Sequence, residues 1–352
     1  MTDLQALLDA QGWVLTDGAT GTNLFARGLQ SGDAPELWNL HEPERVRAHY
    51  RSFLEAGSDL VLTNSFGGTA NRLRLHGAEG QVFEINKAAA KLLREEAEKL
   101  GRQVLVAGSM GPTGDLFVPL GPLTYEEGVE AFAAQAQGLA AGGADLLWIE
   151  TISSVEEIRA AVAGAARIGL PLIATLSFDT NGRTMMGITP AEWAELAHCL
   201  PAPLAAYGAN CGTGAAELLA TLVGLKEAAK PGDHLVAKAN CGIPQWIEGA
   251  IRYDGTPEMM ADYARLARDA GASFIGGCCG TTPGHIAAIR ESLQEHMPGT
   301  PPSLETIASR LGTLSNATLS LIGGQGESDA GHEGEAAGGR RRRGRRRGAT
   351  PF

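Results

Sequence analysis

The chain has 352 residues, 44% of them hydrophobic, with 47 glycines and only 5% aromatics, which favours an α/β protein with tight turns over a β-sandwich. Its formal charge of −11 argues against a body built to bind nucleic acid. The start, MTDLQALLDAQGW, lacks a basic-then-apolar leader pattern, and no apolar run reaches the roughly 18 residues of a membrane span. A cytoplasmic protein is expected, so its five cysteines stay reduced and are candidates for metal or catalysis.

Along the chain, eight short runs rich in Val, Ile, Leu and Ala read as buried parallel strands. They are Trp13–Thr16, Asp59–Thr63, Val104–Ala107, Leu146–Ile149, Leu172–Leu176, Leu204–Tyr207, Leu235–Ala239 and Ser273–Gly276. Amphipathic stretches lie between them. A helix over 42–56 has Pro43 in its first turn and stops at Gly57, and another over 125–141 runs to Gly142-Gly143. Ser154 opens a helix with Ser-Val-Glu-Glu, close to a capping box, and Pro257 begins one that ends at Gly271. Eight strand–helix units is the count of a (β/α)8 TIM barrel, with an open doubly wound sheet as the rival. The barrel is taken as residues 1–310. Residues 311–352 are taken as a disordered tail, which turns to Gly, Glu and an arginine run after about Ile322. Those arginines could bind RNA by counterion release, but a solvated tail is the plainer account of them.

Polar residues and cysteines gather where these strands end. Asp17-Gly18 follows the first strand, Asn64-Ser65-Phe66 the second and Glu150-Thr151 the fourth. Asn210-Cys211 follows the sixth, Asn240-Cys241 the seventh and Cys278-Cys279 the eighth. A barrel brings such ends to one face, where active sites form. Spacing alone leaves Cys211, Cys278 and Cys279 open between small buried hydrophobes and metal ligands. Barrel geometry favours the metal, because the sixth and eighth strands approach one another at the same rim. Three thiolates suit Zn²⁺ and leave its fourth tetrahedral position open. Such a site carries net charge −1, so it is poor at activating water but can take a substrate thiol and lower its pKa from about 8.5. The implied reaction is methyl transfer to sulfur by in-line displacement.

The segments DGATGTNL, TNSFGG, GANCG and GGCCGT resemble the homocysteine S-methyltransferase family from about residue 12 to about residue 295. The resemblance implies a (β/α)8 barrel in which Cys211, Cys278 and Cys279 hold zinc. It also implies that Asp17, Gly18 and Glu150 hold the amino-acid end of homocysteine, and that Asn210 and Asn240 line the same mouth. Cys241 stands where relatives commonly carry Ala, and is read as a small-residue replacement. His198 and His285, in helical stretches, are read as surface or packing residues.

The donor is less legible. The chain stops soon after the eighth unit, so a donor that enters directly is expected: betaine first, then another onium such as dimethylsulfoniopropionate or S-methylmethionine. Trp38 falls near an aromatic of betaine-using relatives and would suit a trimethylammonium group. Against betaine stand Thr151 and the GPTGDLFVPLG segment, which is more like methionine synthase, so a methyltetrahydrofolate- or cobalamin-linked activity is the alternative. A zinc- or homocysteine-binding sensor without catalysis is the alternative of another class. Exposed apolar helix faces on such barrels often pair, so a homo-oligomer is within the expectation.

Overall fold

Short runs apolar on both faces become parallel strands under a coat of helices, because only that arrangement buries both sides. The computed structural model describes residues 3–179, 181–247 and 250–323. Its strands are β1 (Val14–Leu15), β2 (Leu60–Leu62), β3 (Leu105–Met110), β4 (Leu146–Ile152) and β5 (Leu172–Leu176). They continue as β6 (Ala206–Cys211), β7 (Leu235–Ala239), a hairpin β8 (Pro244–Ile247) and β9 (Ala250–Tyr253), and finally β10 (Ala272–Gly277). The main sheet runs β1-β10-β7-β6-β5-β4-β3-β2, and a parallel bridge from Thr16 to Leu60 joins its two ends. This is the nearly closed (β/α)8 barrel expected from the sequence.

Carboxylates complete the seam between β1 and β2. Leu15 N–H donates to Asp59 Oδ2 at 3.0 Å, and Leu62 N–H donates to Asp17 Oδ2 at 2.8 Å. Inside the barrel, Leu60, Leu105, Leu146, Trp148, Val236 and Phe274 form one buried cluster, which Leu4 and Leu8 of the N-terminal helix Asp3–Gln11 join from below. Side chains on a strand repeat their direction every second residue, so the next inward positions are Ser109, Glu150, Asn210 and Lys238. All four are buried. The inner face thus changes from apolar to polar toward the C-terminal rim.

The expected helices form, at Pro43–Glu55, Tyr125–Ala141, Val155–Ala166 and Pro257–Asp269. Thr124 and Glu127 cap the second reciprocally, and Ser154 accepts from Glu157 N–H at the third. Several boundaries differ from the expectation. β6 begins at Ala206 and runs to Cys211, and β4 extends through Glu150 and Thr151. Gly208 and Asn210 are residues depleted in strands, which hides the extension in the sequence. Gly208 is there for a steric reason: a Cβ on it would lie 2.1 Å from the Val236 carbonyl oxygen of the neighbouring strand. The hairpin β8–β9 was not expected at all.

Helical structure continues past residue 310. Leu304–Leu311 and Asn316–Gly323 are both helical. Thr318 and Ile322, four residues apart on one face, are buried, and Thr318 Oγ1 donates to Glu217 Oε2 at 2.6 Å. The remainder of the expected tail, with its arginines, lies outside the described residues. No described helix is long and apolar enough to cross a membrane.

Candidate metal centre and substrate cavity

Three thiols converge at the rim. The Sγ atoms of Cys211, at the end of β6, and of Cys278 and Cys279, just after β10, lie within 4.8 Å of one another. Cys211 and Cys279 are 3.8 Å apart, close to the roughly 3.8 Å edge of a tetrahedron with Zn–S bonds of about 2.3 Å. Without a cation the three resist ionising together. Hydrogen bonding to Cys278 and Cys279, then burial, push the Cys211 thiol far up. Hydrogen bonds from Cys211 and Cys278 hold the Cys279 thiol down at about 3. One thiolate shared among three sulfurs is what a divalent ion would convert into three, because coordination deprotonates a thiol outright. The donor set therefore fits zinc.

The backbone around the sulfurs is held in uncommon conformations. Cys211 and Thr151 both have φ of 64°, a region unfavourable for residues other than glycine, most of all β-branched ones. Asn210 pins Thr151 from both sides: its Oδ1 accepts from Thr151 N–H at 2.9 Å, and its Nδ2 donates to Thr151 Oγ1 at 2.7 Å. Asn240 ties the two cysteine-bearing turns together. Its Nδ2 donates to Gly212 O at 2.6 Å, and its Oδ1 accepts from Cys279 N–H at 3.0 Å. Both asparagines thus orient the sulfurs from behind, a supporting layer that commonly tunes a metal site.

Above the sulfurs opens a cavity of about 510 Å³, whose wall includes Gly18, Ser109, Glu150, Lys238 and the three cysteines. Ser109 Oγ donates to Glu150 Oε1 at 2.5 Å. Burial raises the Glu150 carboxyl to about 7. Tyr253, delivered by β9, also lines the wall. Its ring lies so close over Gly280 that a Cβ there would meet it at 2.3 Å, and Gly280 has φ of 79°.

Of the sequence-predicted residues, the structure brings Cys211, Cys278, Cys279, Gly18 and Glu150 to the cavity wall. Asp17 is buried beneath it, with Oδ1 accepting from Lys238 Nζ at 2.6 Å. Asn210 and Asn240 stand behind the sulfurs. Trp38 is buried in the outer core under the Arg45 guanidinium, 5.0 Å from its ring, and is not on the wall, where the aromatic rings are Phe25, Phe66 and Tyr253. Cys241 lies outside the group of three, its Sγ 3.2 Å from His285 Nε2. His285 caps its own helix, Nδ1 accepting from Thr282 N–H, while His198 contacts Asp233. Sequence reasoning missed Lys238 and Tyr253. The signal for Lys238 was present, since strand periodicity puts it on the same inward face as Val236.

Glu150 yields a pH prediction. Its carboxyl ordinarily titrates near 4.5 and here near 7, so the stability of its protonated form is complete at low pH and is lost as pH rises through about 7. Metal-free Glu150→Gln is expected to match the wild type at about pH 4, below the unfolded value, and to exceed it by about 3 kcal/mol at about pH 8. Urea unfolding at both pH values reads the difference, and a constant offset would contradict it.

Comparison with known proteins agrees with this geometry. The family model described as homocysteine S-methyltransferase matches residues 14–293. The homocysteine methyltransferase MmuM from Escherichia coli, in its metallated form, is 27% identical with a TM-score of 0.69, covering 82% of this chain and 99% of that one. The methionine synthase of Mycobacterium tuberculosis is 29% identical over 343 residues, 92% of this chain but only 28% of that protein. That of Mycobacterium leprae is 30% identical over 317 residues, 86% of this chain and 26% of that protein, so the chain spans about a quarter of these relatives. With the fold, the strand-end cysteines and the matched span in agreement, the chain belongs to the homocysteine S-methyltransferase family.

Proposed function

We propose that the protein transfers a methyl group from a small onium carboxylate, betaine first among them, to the sulfur of homocysteine, with zinc held by Cys211, Cys278 and Cys279. The observation that carries this reading is the convergence of three thiols on one cavity that also holds a buried carboxylate. Zinc bound there supplies a lower pKa for the substrate thiol. Glu150, oriented by Ser109, meets the substrate's ammonium, which offsets the cost of ionising a buried carboxyl. Asn210 and Asn240 hold the cysteine turns in place.

Farther out, the wall carries Phe25, Phe66, Glu36 and Arg72. Aromatic faces and a carboxylate suit an onium cation. The half-buried Arg72 guanidinium faces Glu36 and Glu157 electrostatically but makes no side-chain hydrogen bond with them among the described residues, which leaves its hydrogens available to a donor carboxylate. In the step itself the sulfur lone pair forms the S–CH3 bond while the N–CH3 bond of betaine breaks. The electron pair stays on nitrogen, leaving dimethylglycine.

The test is a donor panel with purified protein, homocysteine and added zinc, following methionine. Turnover with betaine is expected. Turnover with S-methylmethionine and not with betaine would move the donor assignment. A second reading, a methyl group delivered through methyltetrahydrofolate and cobalamin, is favoured by the likeness to methionine synthases. Turnover only with methylcobalamin would select it.

A further inference from the structure

Lys238 is the least expected residue of the site. It sits on β7 opposite Asn210, and its neighbour Ala239 accepts a backbone hydrogen bond from Cys278 N–H at 2.7 Å, so it lies directly beneath the sulfurs. Its side chain is 2% exposed. An ammonium has three hydrogens to place. Lys238 spends one on Asp17 Oδ1 at 2.6 Å and makes no other hydrogen bond or ion pair among the described residues. The Trp148 ring faces it at 5.5 Å. Unspent hydrogens on a buried ammonium are costly unless something arrives to take them.

Asp17, by contrast, is fully engaged. Lys238 holds one carboxylate oxygen and Leu62 N–H the other. Lys238 and Glu150 line the cavity, and Asp17 does not. The floor therefore presents an ammonium and a carboxyl side by side, the complement of a free amino acid.

We propose that Lys238 binds the α-carboxylate of the thiol substrate while Glu150 takes its ammonium, with Asp17 serving as the buried counter-ion that holds Lys238 in place. This rests on the homocysteine reading above. The α-carbon of homocysteine is three bonds from its sulfur, so a sulfur at the cysteines keeps both charged groups near the floor. The assignment makes Lys238 a specificity residue that selects amino-acid thiols over simple ones.

Calorimetric binding to the zinc-loaded protein, with no donor present, tests this apart from turnover. The ligands are homocysteine, 3-mercaptopropylamine, which lacks the carboxylate, and 4-mercaptobutanoate, which lacks the ammonium. Lys238→Met alone would strand Asp17, so the informative variant is Asp17→Asn with Lys238→Met, which keeps the floor neutral. Wild type is expected to prefer homocysteine to 3-mercaptopropylamine by about 10- to 100-fold. The double variant is expected to lose that factor for both carboxylate-bearing thiols and to bind 3-mercaptopropylamine about as before. A retained preference would reduce Lys238 to a counter-ion of Asp17. An equal loss for all three thiols would mean a damaged floor, and would also overturn the assignment. If wild type binds none of the three, the homocysteine reading itself falls, a result separate from either.

Discussion

Cys278→Ala is expected to fold normally, to retain less than about a tenth of an equivalent of zinc after dialysis against a chelator, and to form methionine at least about a thousandfold more slowly. Folding survives because the turn at Cys278 is held by its backbone, through the N–H to Ala239 O bond at 2.7 Å, and the side chain adds only a weak contact from Asn210 at 3.8 Å. Metal binding does not survive. A zinc site worth about 10–16 kcal/mol spread over four ligands loses several kcal/mol, hence at least about a hundredfold in affinity, with each sulfur removed. The remaining pair, Cys211 and Cys279, cannot define a tetrahedral face. Metal analysis alongside thermal unfolding separates the two effects. A variant that keeps a full equivalent of zinc and normal turnover would refute the ligand assignment.

Asp59→Ala is expected to cost about 3–5 kcal/mol of stability. The Asp59 carboxylate is a junction at the barrel seam, where Oδ2 accepts from Leu15 N–H at 3.0 Å, Gln11 Nε2 at 2.9 Å and Arg290 Nη1 at 2.7 Å. Backbone pairing across the β1–β2 seam amounts to the Thr16–Leu60 bridge and a bond from Asp59 N–H to Leu15 O at 2.8 Å, so the side chain carries much of the closure. Removing it leaves a buried N–H unsatisfied and a partly buried guanidinium unpaired. Arg290 is 25% exposed in its side chain, and water there pulls the loss toward the lower end of that range. Denaturant midpoints at constant m-value measure it. A loss below about 1 kcal/mol would mean that the helices, not the seam, hold the barrel closed.

The barrel and its sulfurs were legible because strands buried on both faces leave uninterrupted apolar runs. The polar residues that end them mark the rim. Legibility failed where one residue serves two neighbours. Gly208 looked like a strand breaker but is demanded by close approach to Val236. Asn210 and Asn240 looked like wall residues, yet their amides are consumed by Thr151, Gly212 and Cys279. Lys238 passed as one more residue of an apolar run, because the side chain it pairs with, Asp17, is 221 positions away. Tyr253 depends on a hairpin whose pairing no periodicity announces.

The seam also sets a timetable. Thr16 N–H bonds to Ile275 O, and Ala19 N–H bonds to Thr281 O, so the first strand, which meets β2 early, gains its second neighbour only when the last has been made. A nascent chain that has just released β7 holds one of the three sulfurs and an unclosed sheet. During synthesis its apolar inner face waits open, and long-range closure of this kind is slow. On the zinc reading proposed above, metal capture would be the final act of assembly, because a growing chain does not yet possess Cys278 and Cys279.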